Sequence, residues 1–158
     1  MSKGTPATQA LTRAKVAFEL LEYDYVSGQA QIGLHAAEAI GWDPSRVLKT
    51  LMVEVDGRPC CAVVPSGASL SMKRVASAFG GKSAQMMDPA KAERLTGMHT
   101  GGISPFGQKK RVPTAFEAGA MAAERIVLNG GKRGLMVVVT PADALEVSGG
   151  KAAALAAD

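Results

Sequence analysis

The chain has 158 residues, a formal net charge of +4 and 47% hydrophobic residues, which suits one domain with a real core and excludes a disordered chain. Its only cysteines, Cys60 and Cys61, are adjacent, so a disulfide framework is excluded and a reducing, cytoplasmic setting is expected. No signal-like apolar core opens the chain, no stretch approaches the roughly 18 apolar residues that cross a bilayer, and the modest positive charge suits an anionic partner.

Thr5 and Pro6 start a short helix over Ala7 to Lys15. Phe18 to Val26 (FELLEYDYV) is aromatic and branched enough for a strand, Ser27 to Ile32 is a loop, and Leu34 to Ile40 is an alanine-rich helix stopped by Gly41. Val47 to Val55, then Asp56 and Gly57, then Cys60 to Val64 form a hairpin, because Asp-Gly supplies both turn positions with positive φ. Pro59 lacks a ladder donor and belongs near the turn or at an edge. Ser71 caps a helix to Phe79, closed by Gly80 and Gly81, and Ala84 to Met87 is a short strand. Asp88 and Pro89 open a helix to about Thr96 that Gly97 stops. Further on come a strand at Thr114 to Glu117, a turn or short helix at Ala120 to Glu124, and a strand at Arg125 to Asn129. After a turn at Gly130 to Gly134, Leu135 to Thr140 reads as a buried strand, and a last helix starts at Pro141 to Leu145. No repeat or linker interrupts residues 1–158, which read as a single domain. The elements mix without strict βαβ alternation, so the expected class is α/β in the mixed α+β sense, with a curled or partly closed sheet.

The densest signal is Gly101 to Thr114, GGISPFGQKKRVPT. Its glycines and Pro105 specify a rigid backbone with exposed amides suited to an oxyanion or carbonyl, and Lys109, Lys110 and Arg111 add charge for a phosphate-bearing substrate. Ser104 lacks a GxSxG elbow and Asp/His partners, so it suits orienting a substrate better than attacking one. Lys49 stands among apolar neighbours. A strand lysine ordinarily faces outward, whereas a buried one needs an anionic or polar partner, and the pattern alone leaves both open. Cys60 and Cys61 read as small core hydrophobes, and His35 and His99 have no ligand spacing, so no metal and no cofactor are expected.

Lys49 in VLKTLMV, GGISPFGQKKRVPT, GGKRG at Gly130 to Gly134 and the Glu22–Tyr23 pair together resemble the YbaK/EbsC-type prolyl-tRNA editing family, specifically the free-standing Cys-tRNA(Pro) deacylases. The resemblance runs from Thr5 to Leu145. It implies a mixed six- or seven-stranded sheet curled into a partial barrel, and trans-editing: hydrolysis of the ester joining a wrong amino acid to tRNA, foremost Cys-tRNA(Pro) and also Cys-tRNA(Cys). It implies Lys49 as the catalytic lysine, with Gly101, Gly102, Ile103, Ser104 and Pro105 as the wall facing the carbonyl. Tyr23, Thr50 and His99 fall on the substrate side. Lys109, Lys110, Arg111, Lys132 and Arg133 would hold the acceptor end of mischarged tRNA, with Arg46, Lys73 and Arg74 as more remote candidates. Prolyl-tRNA synthetase is a candidate partner, and neither DNA nor a membrane is expected. The attacking group is implied to be the substrate cysteine's thiol, or water for other amino acids. In one departure, Met136 stands where members often carry an acid. A same-family deacylase for alanine or serine, and a non-catalytic tRNA- or synthetase-binding module, are the competing readings.

Overall fold

The computed structural model describes residues 4–24, 37 and 40–158. Its largest sheet grows from a hairpin of β2 (Leu48–Val55) and β3 (Arg58–Pro65), turned by Asp56 and Gly57 at φ 51° and 80°. Both lie in the left-handed region that an Asp-Gly turn needs. Along its other edge β3 runs parallel to β5 (Thr114–Glu117), which runs parallel to β8 (Lys151–Ala153), while β4 (Ala84–Met86) lies antiparallel to the far end of β2. Pro59 pairs with Glu54 outside the β3–β5 ladder, so its missing donor breaks nothing there.

A second sheet is antiparallel throughout, in the order β1 (Glu19–Glu22), β7 (Leu135–Val139), β6 (Ile126–Asn129). A parallel bridge between Val47 and Val127 joins the start of β2 to β6. The two sheets therefore curl as one surface without closing, which is the expected mixed fold. Strand alternation divides their side chains into an inner and an outer face. Leu48, Met52, Cys61, Val63 and Phe116 meet Ile126, Leu128, Val137 and Val139 on the inner face, with Leu11 and Phe106 filling the core. Outside, α2 (Met72–Ala78) covers Val53, Ala62 and Val64 through Val75 and Ala76, while Val47, Val127, Met136 and Val138 form a third cluster with Tyr23 and Trp42.

The helix signals hold in detail. Thr5 caps α1 (Pro6–Arg13) in a reciprocal box with Thr8, and the helix stops short of the expected Lys15, whose φ is 60°. Asp88 caps α3 (Pro89–Thr96), which ends on Gly97, and Thr140 caps α4 (Pro141–Ser148) instead of extending β7. The expected turn at 120–124 overlaps a 3-10 segment, Ala118–Ala122, while a second, Pro44–Arg46, and the strand β8 are not among the elements expected from sequence. Ala37 and Ile40 are helical, in line with the 34–40 helix, while its other residues through 39, the 27–32 loop and the end of the first strand lie outside the described residues. Among those described, no helix is long and apolar enough to cross a membrane.

Candidate functional site

Two glycine-rich segments that are far apart in sequence form one structure. A Cβ on Gly102 would stand 2.6 Å from Arg133 N and 2.7 Å from Lys132 C, so only glycine lets the 101–105 segment lie against the 130–134 turn. Side chains then tie the two. Arg133 Nε donates to Thr100 O at 2.8 Å, and Asn129 Nδ2 donates to Gly101 O at 3.2 Å while its Oδ1 accepts from Gly131 N at 2.7 Å. From below, Thr5 Oγ1 donates to Gly130 O. A Cβ on Gly107 would strike Pro6 O at 2.2 Å, so the start of α1 is wedged beneath both segments. At the entry, the Glu93 carboxylate accepts from Thr100 N at 2.8 Å, and that bond holds its pKa below the ordinary glutamate value.

The amides of this wall are unequally committed. Gly102 N donates to His99 O, Ser104 N to Met98 Sδ and Phe106 N to Ser104 Oγ. Those of Gly101 and Ile103 have no intramolecular acceptor among the described residues. An uncommitted amide beside a glycine with φ of 85° is a donor a substrate oxygen can use.

Lys49 reaches this region from β2. Val47 bridges Val127 in parallel, so two residues further along each strand Lys49 and Asn129 take neighbouring positions on the outer face. Asn129 pairs with Met136 in the β6–β7 ladder, and Tyr23 N donates to Gly134 O while its side chain packs on the same outer cluster. Lys49 is half-buried and makes no ion pair among the described residues, and burial pushes its ammonium pKa below the ordinary lysine value. A desolvated cation with no counter-charge among the described residues is suited to an anion supplied from outside the chain.

Other residues of the sequence-based site go elsewhere. Thr50 alternates to the inner face between Leu48 and Met52, where its Oγ1 is buried and has no hydrogen-bond partner. Ser104 is fully buried, its Oγ accepting from Phe106 N and its carbonyl accepting from Gln108 Nε2 at 2.9 Å. That is a loop anchor. Pro105 lines a cavity of about 200 Å³ between α1 and α4, together with Arg13, Gln108 and Arg111. His99 points outward with 82% of its side chain exposed, 3.6 Å from Glu93. Lys109 N and Lys110 N cap the end of α3 by donating to Thr96 O and Leu95 O, and Arg111 turns instead to Gly149 at the end of α4. Lys132 and Arg133 are exposed beside the wall, Arg46 and Lys73 are exposed away from it, and Arg74 binds Ala156 O and Asp158 as a clamp on the tail. Cys60 and Cys61 are buried free thiols, and burial pushes Cys61 up to about 12, which keeps it protonated and inert. Among the described residues no group of His, Cys, Asp and Glu could hold a metal, and His35 lies outside them. Asn129 and Thr5, which hold the site together, are not among the site residues read from sequence, where Thr5 is only a helix start. The only hint was that Asn129 directly precedes Gly130-Gly131.

The model of the aminoacyl-tRNA editing domain matches residues 32–147, which takes in Lys49 and both glycine-rich segments. The chain belongs to the aminoacyl-tRNA editing domain family. Among curated proteins it is 31% identical over 150 residues to EbsC of Enterococcus faecalis, covering 93% of this chain and 90% of EbsC, whose name provisionally assigns it as a Cys-tRNA(Pro)/Cys-tRNA(Cys) deacylase. YwhH of Bacillus subtilis, named as uncharacterized, is 29% identical over 114 residues, 72% of each chain. A crystal structure described provisionally as a trans-editing enzyme for prolyl tRNA synthetase superposes with a TM-score of 0.84 at 22% identity, covering 99% of this chain and 100% of the other. At that identity the editing-domain fold is what is shared.

Proposed function

We propose that this editing domain is a deacylase of mischarged aminoacyl-tRNA, with Cys-tRNA(Pro) as its foremost substrate and Cys-tRNA(Cys) as a second. The observation that carries the reading is the placement of Lys49, desolvated and without a counter-charge among the described residues, beside the Asn129-held Gly101 wall. The EbsC likeness supports the choice of amino acid.

In this reading the ester carbonyl lies against the wall, and its oxygen accepts from the free amides of Gly101 or Ile103 as charge develops on it. The Lys49 ammonium stabilises that charge or the terminal phosphate. No carboxylate stands at Met136, and the committed Ser104 and protonated Cys61 offer no nucleophile. For a cysteinyl ester the substrate thiol, giving up its proton, attacks its own carbonyl carbon. The new C–S bond replaces the C–O bond, the departing ribose oxygen takes up a proton, and the cysteine leaves as a cyclic thioester. For amino acids without a thiol, water attacks instead. Exposed Lys132 and Arg133 flank the wall and suit backbone phosphates of the acceptor end. Prolyl-tRNA synthetase is a candidate source of tRNA selectivity.

Purified protein incubated with tRNA(Pro) charged separately with Cys, Ala, Ser and Pro tests activity and specificity together. Cys ester loss is expected to be fastest, and Lys49→Ala is expected to slow it by about 100-fold or more, the scale of removing one oxyanion stabiliser. Equal rates on Cys, Ala and Ser sink thiol assistance. Faster loss of Ala or Ser moves the substrate within the family, and tRNA binding without ester loss makes the chain a binding module.

A further inference from the structure

Four cations gather at the opposite end of β2 from Lys49. The hairpin turn, the end of α2 and the 110–113 segment enclose a cleft of about 520 Å³ lined by Arg58, Lys110 and Arg111 over an apolar floor that includes Cys60 and Phe79. Lys151 of β8 stands over the Phe79 ring at 5.9 Å, adding a fourth positive group at its edge. Arg58, Lys110 and Arg111 make no ion pair among the described residues. The cleft's one lining carboxylate, Asp56, is occupied as an acceptor for Lys82 N and Ser83 N. Cations converging from three separate segments do not stabilise the fold by doing so; they raise the local positive potential.

The placement says what that potential serves. Lys49 and Val55, which lines the cleft, share one face of β2 six residues apart, about 20 Å along a strand. Lys110 and Arg111 follow the catalytic wall directly in sequence, yet their backbone carries them away from it toward the cleft. We propose that this cleft is a second phosphate-binding site, gripping the RNA backbone several nucleotides from the aminoacylated end while the ester sits at Lys49. The inference rests on the deacylase reading only for the identity of the polyanion. Contacts of this kind position without reading sequence, and each phosphate held adds about 0.7–0.9 to the slope of log affinity against log salt.

The test measures affinity for an uncharged RNA hairpin that reproduces an acceptor stem with its unpaired 3′ end, across a salt series, for wild type, Arg58→Ala/Lys110→Ala/Arg111→Ala, and the milder Arg58→Gln/Lys110→Gln, which keeps Arg111 against the end of α4. Turnover is followed on charged tRNA and on a minimal aminoacyl-adenosine ester too short to reach the cleft. The triple variant is expected to bind about 10- to 100-fold more weakly with a slope lower by about two, the double variant to lie between, and both to cleave the minimal ester at the wild-type rate. Arg94→Ala on α3, outside the cleft, is expected to change neither slope nor rate. Wild-type affinity and slope in both variants overturn the cleft proposal, and continued turnover of charged tRNA then leaves the deacylase reading standing. Equal losses on tRNA and on the minimal ester also overturn it, since the cations then act through the catalytic wall. Cleft-dependent RNA binding by a protein that hydrolyses neither substrate sustains the cleft and removes the deacylase reading.

Discussion

The two halves of the 101–114 segment solve opposite problems. In residues 101–106 the backbone is the instrument. It is pinned by Asn129 and Ser104, with Arg133 holding Thr100 just ahead of it, and the position of Gly102 leaves no room for even one methyl group. At residues 109 and 110 the backbone is pinned to the end of α3, and the charged side chains of 109–111 are left exposed. In the proposed reading the difference separates a surface that must hold an atom to a fraction of an ångström from one that need only supply charge. Substitutions in the first half should strike the rate of chemistry, and those in the second the grip on nucleic acid.

The strongest way to break that comparison is Gly102→Ala. Its Cβ would collide with backbone at 132–133, so the wall must shift, and kcat on charged tRNA should fall by about 100-fold, the scale for a displaced catalytic contact. RNA affinity should stay near wild type, and an unchanged kcat would dissolve the distinction between the halves. Asn129→Ala comes next. It strands Gly101 O and Gly131 N, costing about 1–3 kcal/mol of stability in denaturant melts, and kcat should drop roughly tenfold as the wall loosens.

Titration sharpens the comparison further. Lys49's pKa is below its unfolded value because burial disfavours the charged form. If its ammonium serves the reaction, kcat should decline through an alkaline limb that begins below the ordinary lysine range, and Lys49→Arg should move that limb upward. Stability responds to pH in the opposite direction. Between the folded and unfolded pKa values the unfolded chain binds more protons, so folding stability gains as pH rises through that window. The smallest effect belongs to Thr50→Val, which removes the unpartnered buried hydroxyl. Stability should hold or rise by up to about 1 kcal/mol, and a clear loss of kcat or rise in KM would give Thr50 a role in the substrate site.

Much of the frame was legible because it rests on local chemistry. Asp56-Gly57, Thr5-Pro6, Asp88-Pro89 and Gly97 each impose a backbone geometry that a neighbouring residue cannot undo. Strand β8 escaped because Lys-Ala-Ala carries no β-branched or aromatic residue, and only the open edge of β5 makes it a strand. Lys49 was visible through resemblance and ambiguous by pattern; its burial comes from the curl of the sheet, which no local window contains. The division of Lys109, Lys110 and Arg111 was hidden for a related reason. Three adjacent charges look like one patch in sequence, but Arg111 is drawn to α4 while the lysine amides cap α3.

The Thr5 hydroxyl that reaches Gly130 has a practical consequence. It makes the first turn of α1 a doorstop for a wall built from residues a hundred positions later. Trimming the chain back past Thr5, or replacing that residue by valine, should leave every chemical group of the site in place and still blunt it. Anyone shortening this protein for crystals or for an assay would then be measuring a loosened hinge and mistaking it for a slow enzyme.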